Sequence, residues 1–396
     1  EYLVQLRRDD AHRAKVEKHT NIFKRVGFSY DGVHDGNDIE GMVAKLQEVK
    51  EKLKTQSVIL HIVTKKGKGY SFCEEFPQET HGISGAGKVG SVDYSQVLGK
   101  TLCRLAQDDK RIVAVTAAMT PSLGLSEFFK LYPERSIDVG ICEEHATILC
   151  AALAAQGLKP FYAVYSTFLQ RSFDEIIIDI CSQKLPVTLC IDRAGISGED
   201  GETHQGVFDL SFLNLIPELT IAVPKDCEEF EAMLEASLHF NLPLAIRYPK
   251  ECKNVFDGDE KPLVMGKWEY LLHGNCNIAI LACGERAISI ALEVAEKAGK
   301  SEVKITVVNA RFVKPLDLDL LSSLKENLIV TLEDNQLIGG FGSLVSQHYS
   351  RNNGITVKSF AYEDKFIPHG KVSELMDEFG LNGESVFDYI MQNADR

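Results

Sequence analysis

Glu143, Glu144 and His145 stand together at the head of an almost wholly apolar run, VGICEEHATILCAALAAQG (Val139 to Gly157). Acids in a first helical turn sit well near the positive end of the helix dipole, so the pattern alone is an ordinary helix start. Other stretches join it as candidates for chemistry. YSTFLQRSFDE (Tyr165 to Glu175) follows a strand-like run and opens a helix. Ligands in open α/β sheets sit outside the carboxyl ends of strands, which puts Tyr165, Phe168 and Arg171 near any cleft. The plainer reading makes Phe168 and Phe173 core and Arg171 a solvated charge.

IDRAGISGEDGETHQGVFD (Ile191 to Asp209) runs from a strand end through a polar, glycine-rich loop into a helix. Arg193 stands where the strand leaves the sheet. His204 lies in the loop with Asp200, Glu202 and Thr203, and a histidine there can move protons near neutral pH. GEDGE lacks the ligand alternation of a calcium loop. LAIRYPK sets Arg247 at another strand end. Arg193 and Arg247 together could clamp a phosphate, while either alone is more often one half of a surface ion pair. TKKGKGY (Thr64 to Tyr70) joins flexible glycines with Lys65, Lys66, Lys68 and an aromatic, and can approach a phosphate or a ring without the spacing of a Walker loop. DGVHDGNDIEG near Asp31 reads as a turn with an N-cap at Asn37 or Asp38, and LIGGFGSLV as a loop entering a helix; both are taken as structural.

The elements that position these residues alternate along the chain. SVILHIVTKK, RIVAVTAAM, PFYAVYSTFL, LPVTLCIDR, LTIAVP and LPLAIRY read as buried strands, with helices such as YSQVLGKTLCRLAQDD between them. NIAILAC, VKITVVNARF, LIVTLED and GITVKSF continue the pattern. Such alternation predicts an α/β fold of parallel sheets covered by helices on both faces. A glycine-rich polar stretch, Cys73 to Asp93, and a second break, Pro249 to Lys267, divide the chain. The expected parts are 1–75, a linker 76–92, an α/β domain 93–255 and a C-terminal α/β domain 268–396. The first part shows one strand (Ser57 to Lys66) and one helix (Asp38 to Lys52), too little to close a parallel sheet, so it reads as the tail of a larger domain.

Composition narrows the classes. A net charge of −14 gives a nucleic-acid role no general electrostatic support. No apolar run reaches membrane-span length, and EYLVQLRRDD has no apolar core of a signal peptide. The chain does not begin with Met, so a segment upstream is expected. The ten cysteines include no C-x-x-C pair and no zinc spacing. Cys142, Cys150, Cys181 and Cys190 lie in apolar surroundings and are expected to be buried, reduced thiols, which suits a reducing cytosol or organelle matrix.

Taken together and in order, DVGICEEHA, YSTFLQRSFDE, IDRAGISGEDGETHQGVFDLSFL, RYPK, RFVKPLD and TKKGKGY resemble the 1-deoxy-D-xylulose-5-phosphate synthase family of the thiamine-diphosphate-dependent transketolase superfamily. The resemblance runs from about Phe23 to the C-terminus. It implies a transketolase-like arrangement in which 1–75 is the end of the diphosphate-binding domain, 93–255 the pyrimidine-binding domain and 268–396 the C-terminal domain. It implies that Glu143 hydrogen-bonds the aminopyrimidine ring nitrogen of thiamine diphosphate and favours its imino tautomer. Phe168 would pack on that ring, and Tyr70 and Lys68 would contact the cofactor. Tyr165, Arg193 and Arg247 would hold the phosphate of glyceraldehyde 3-phosphate, His204 would move protons at the acceptor, and Arg171 and Asp200 would line the site. Glu144 stands where the family usually has Gln.

The resemblance further implies condensation of pyruvate with D-glyceraldehyde 3-phosphate with loss of carbon dioxide, the first step of the methylerythritol phosphate route to isoprenoids. It also implies a homodimer, no nucleic-acid or membrane partner, and a cytoplasmic location, or the plastid stroma in a plant or alga. The family's Gly-Asp-Gly…Asn motif for magnesium and diphosphate is not found, so no metal ligand is expected in this chain; those ligands would come from an upstream part, carried separately or missing. Two other readings stay open: a split transketolase or keto-acid dehydrogenase β-subunit, and a non-catalytic phosphosugar-binding or assembly module.

Overall fold

A computed structural model describes residues 21–77, 92–252, 256, 263–351 and 354–393. The expected linker therefore lies largely, and the middle of the second break mostly, outside the described residues. Those described form two compact units, divided between Gly87 and Lys88.

In the first unit, strand β1 (Ser29–Asp35) pairs in parallel with β2 (Val58–Val63), joined through helix α1 (Ile39–Lys52). The Asp38 side chain caps α1 by accepting from Gly41 N. β1 corrects the reading of this segment as a turn. Its register slips between Asp31 and Val33, around Gly32, and the bulge breaks the two-residue alternation that marks a strand.

The second unit carries two large sheets, besides a short antiparallel pairing of Val92–Asp93 with Glu251–Cys252. Its chain runs through helix α2 (Tyr94–Asp108), β3 (Ile112–Thr116), β4 (Ser136–Asp138), α3 (Glu143–Ala155), β5 (Lys159–Tyr165), β6 (Thr188–Asp192), β7 (Thr220–Ala222), α4 (Cys227–Ser237) and β8 (Leu244–Arg247). It continues with β9 (Glu269–Leu272), β10 (Ile278–Cys283), α5 (Glu285–Gly299), β11 (Thr306–Asn309), β12 (Phe312–Lys314), β13 (Leu328–Gln336), α6 (Phe341–Tyr349) and β14 (Thr356–Tyr362). The larger sheet has the order β12-β7-β8-β6-β5-β3-β4 and is parallel except for β12. The smaller has the order β9-β11-β10-β13-β14 and is parallel except for β9. The fold is α/β with parallel-dominated sheets flanked by helices. β6, β8 and β10 are buried along their whole length, as strands covered on both faces must be, which is why they read as unbroken apolar runs.

Two details depart from expectation. β12 lies in the sequence range assigned to the C-terminal domain, yet it completes the edge of the larger sheet by pairing with β7. Cys142 is exposed, one residue ahead of α3, whereas Cys150, Cys181 and Cys190 are buried. Burial pushes the Cys181 thiol up to about 12 and those of Cys150 and Cys190 up as well, which keeps them protonated.

Candidate functional site

The carboxyl ends of β5 and β6 deliver most of the singled-out side chains to one place. Glu143 is the first residue of α3 and only 2% exposed. Its neighbours in sequence diverge, as residues about 100° apart on a helix must: Glu144 is half-buried and His145 exposed. Arg171 Nη1 lies 2.9 Å from Glu143 Oε2, and Arg171 Nε lies 3.6 Å from Glu144 Oε1. The closer contact is an ion pair without hydrogen-bond alignment, so Oε2 is buried and accepts no hydrogen bond among the described residues. Such an atom ordinarily costs about 1–3 kcal/mol, which makes it a signal for a missing partner.

Beyond β5 the chain turns directly into a helix. This turn stacks Phe168 on Tyr165, with ring centroids 5.7 Å apart and planes 11° from parallel. His204 meets Phe168 edge-on at 5.5 Å. Thr167 Oγ1 donates to the Thr203 carbonyl at 2.8 Å, fastening this turn to the histidine loop. His204 Nδ1 lies 3.0 Å from Thr203 Oγ1. Asp200 is exposed in the same loop.

Arg193 leaves β6 with φ +55°, a left-handed conformation that non-glycine residues adopt rarely. Its guanidinium covers the Tyr165 ring at 4.2 Å, an arrangement favoured by the ring quadrupole. Nη1 donates to Asp192 Oδ1 at 2.7 Å and to the Ser122 carbonyl at 3.1 Å, while the buried Nε has no hydrogen-bond partner among the described residues. A buried cation with an unused donor fits an anion such as a phosphate. Burial pushes Asp192 up to about 6 despite the Arg193 guanidinium beside it, and pushes the Tyr165 hydroxyl up as well.

Arg247 has a more internal setting than a phosphate clamp alone requires. Its Nε donates to Asp209 Oδ2 at 2.9 Å, and Nη2 donates to the carbonyls of Asp334 (3.1 Å) and Gly206 (3.4 Å). The structure thus joins Tyr165, Phe168, Arg193 and His204 through ring and cation contacts, pairs Glu143 with Arg171, three residues on from Phe168, and sets Arg247 behind the histidine loop. Lys68 and Tyr70 belong to the first unit, where both are exposed. Their turn is tied by Glu74, which accepts from Gly69 N at 2.9 Å and pairs with Lys65.

Sequence reasoning did not single out Asp209, Asp192, Ser122, Thr167, Arg286 or Asp334. Asp209 stood inside a quoted motif, but its partner lies 38 residues on, and nothing local announces the pair. Asp334 had a local sign. The apolar run LIVTL ends in EDNQ, and all four polar residues are buried on β13, where they need partners. LIGGFGSLV does enter a helix, α6. Its first amides are held by Glu333, whose Oε2 accepts from Phe341 N at 2.6 Å and Oε1 from Gly342 N at 2.8 Å.

Thiamine diphosphate can be tested against these residues. The orphaned Glu143 Oε2 and the flat Tyr165–Phe168 stack fit an aminopyrimidine ring bearing a protonatable nitrogen. Among the described residues, no group of three or more His, Cys, Asp or Glu is placed to hold a metal ion. No helix among them is long and apolar enough to cross a membrane.

Comparison with known proteins gives the same frame. Residues 90–253 match the family described as "Transketolase, pyrimidine binding domain", 266–386 "Transketolase, C-terminal domain", and 3–64 "1-deoxy-D-xylulose-5-phosphate synthase". The chain is 45% identical over 382 residues to the 1-deoxy-D-xylulose-5-phosphate synthase of Caldanaerobacter subterraneus subsp. tengcongensis, covering 94% of this chain and 61% of that one. It is 44% identical to that of Clostridium perfringens, covering 96% and 62%. The chain thus spans about three fifths of the length of these curated relatives. Among solved structures, a split-gene transketolase described as an inactive β4 tetramer superposes with a TM-score of 0.68 at 27% identity, over 77% of this chain and 98% of its own. Transketolase from Campylobacter jejuni shares the fold with a TM-score of 0.63 at 16% identity, over 93% and 68%. On these grounds the chain belongs to the 1-deoxy-D-xylulose-5-phosphate synthase family of transketolase-like proteins.

Proposed function

We propose that the protein condenses pyruvate with D-glyceraldehyde 3-phosphate, with loss of carbon dioxide, to give 1-deoxy-D-xylulose 5-phosphate. The observation that carries this reading is the Glu143 carboxylate, buried at a helix start with Oε2 unused. When bound, thiamine diphosphate supplies the carbon centre on which a keto acid loses carbon dioxide. Glu143 shares a proton with the aminopyrimidine ring nitrogen, and Phe168 gives that ring a flat apolar face. Arg171 keeps Glu143 oriented from 2.9 Å away. Tyr165, Arg193 and Arg247 hold the acceptor phosphate: Arg193 through its unused Nε, Arg247 from a guanidinium already oriented by Asp209. His204, steadied by Thr203 and Phe168, exchanges protons with the acceptor, and Asp200 lines its approach. Lys68 and Tyr70 contact the cofactor, and magnesium with its diphosphate ligands comes from outside this chain. Domains at 93–255 and 268–396, a homodimer and a cytoplasmic or stromal location belong to the same reading.

The test is turnover by the full-length protein. Formation of deoxyxylulose phosphate from pyruvate and glyceraldehyde 3-phosphate, lost in Glu143→Ala, is the expected result; an unchanged rate in that variant overturns the role of Glu143. A second reading is favoured by the likeness to a split-gene transketolase over nearly all of that chain. Turnover of xylulose 5-phosphate with ribose 5-phosphate, and none of pyruvate, would select it.

A further inference from the structure

The loop that carries Asp200 and His204 is held largely by the smaller sheet. Asp334, on β13, is the centre of the attachment. Its Oδ1 accepts from Ile196 N at 3.0 Å and from the Tyr362 hydroxyl at 2.6 Å, and its Oδ2 accepts from Arg286 Nη1 at 2.6 Å. Arg286, in the first turn of α5, also donates from Nη1 to the Ile196 carbonyl at 2.8 Å. One ion pair therefore takes both backbone polar groups of Ile196. Gly195 has φ +78°, and a Cβ there would stand 2.0 Å from Asp334 Oδ2, so the backbone presses directly on the carboxylate.

The other limb and the bend are fastened from the same side. Gln336 N donates to the Val207 carbonyl at 2.9 Å, and Gln205 Nε2 donates to the Pro368 carbonyl at 3.0 Å. Gln205 Oε1 closes the loop on itself by accepting from Ser197 N at 2.7 Å and Gly198 N at 3.2 Å. Gly195 and Gly206 exchange backbone hydrogen bonds at 2.7 and 2.8 Å, pinching the loop shut at its base. The Asp334 carbonyl also receives Arg247 Nη2.

We propose that Asp334 and Arg286 are positioning residues that set His204 and Asp200 for the acceptor substrate, giving the C-terminal part of the chain a direct share in the second half of the reaction. The inference rests on the functional reading above. A segment with glycines at 195, 198, 201 and 206 samples many conformations when untethered. The Asp334–Arg286 pair selects one of them before the acceptor arrives, so binding does not have to order the loop. Neither side chain touches substrate in this account.

The test uses the full-length protein with Arg286→Ala and Asp334→Asn, and Arg286→Lys as the conservative control. Amide hydrogen exchange at 196–206 should quicken at least tenfold in Arg286→Ala while Ile329–Leu332 stays unchanged. The KM for glyceraldehyde 3-phosphate should rise about tenfold with the KM for pyruvate unmoved, and Arg286→Lys should recover much of both effects. Unmoved loop exchange, or equal changes in the two KM values, overturns the positioning role in an active enzyme. A silent wild type overturns the functional reading instead, and shows as absence of product before any variant is compared.

Discussion

Two buried glutamates in the second unit use their oxygens in opposite ways. Glu333, near the end of β13, spends both on the first amides of α6, and the fit is close enough that a Cβ at Gly340 would lie 2.4 Å from Oε2. Glu143 is itself the first residue of α3, and its Oε2 accepts no hydrogen bond among the described residues while Arg171 stands within ion-pair distance. Each lies at a helix N-terminus, whose field offsets part of the cost of a buried charge. The difference is that one carboxyl group completes the fold and the other leaves an acceptor oxygen unused. Burial without satisfaction marks function more sharply than burial alone.

The comparison breaks most visibly if Glu143→Gln in the full-length protein leaves turnover intact. We expect turnover to fall at least about 100-fold, the usual scale for loss of a proton-transfer group. Unfolding free energy, from urea titration, should shift by less than about 1 kcal/mol, because no hydrogen bond to Oε2 is lost and the ion pair that is lost ends on the half-exposed Arg171. Glu333→Ala should do the reverse to stability. Stranding Phe341 N and Gly342 N should cost about 2–3 kcal/mol, read as a lower urea midpoint at unchanged slope.

A titration sharpens the contrast. Burial pushes Glu333 up to about 8 and Asp192 up to about 6. The folded protein then keeps protons that the unfolded chain has released above the ordinary carboxylate range. Stability from these groups is greatest below that range and is lost as pH rises towards 8, by up to about 1.4 kcal/mol per pH unit for each group. Urea midpoints measured from pH 5 to 8 should fall with pH, and Glu333→Gln should flatten the upper part of the slope. A midpoint that climbs across this window would contradict it. The smallest effect is expected for Thr167→Val. Removing the bond to the Thr203 carbonyl should cost about 1 kcal/mol or less and raise the KM for glyceraldehyde 3-phosphate a few-fold.

Legibility in the sequence followed range. Strands such as Thr188–Asp192 and Ile278–Cys283 could be read because burial on both faces leaves an unbroken apolar run. Ser29–Asp35 could not, because the bulge at Gly32 falls in its middle. Tyr165, Phe168 and Arg193 were legible as a group because the strand-end rule places each at a cleft without knowledge of its neighbours. The partners were not. Asp209 reaches Arg247 across 38 residues, and Asp334 reaches Ile196 across 138, distances over which composition and period say nothing. Cys142 misled for a related reason: apolar neighbours in sequence do not bury a residue that stands just outside the helix they form.

The strand Phe312–Lys314 also bears on how the gene can be cut. It is borrowed from beyond the sheet it finishes, pairing with Thr220–Ala222. An expression clone stopped near residue 255 would leave Thr220–Ala222 with a bare row of amides and carbonyls, a template for any neighbouring molecule. Such a fragment should precipitate or stick to itself, and one carried through Lys314 should stay in solution better. Divisions drawn between sequence families are therefore poor places for scissors here.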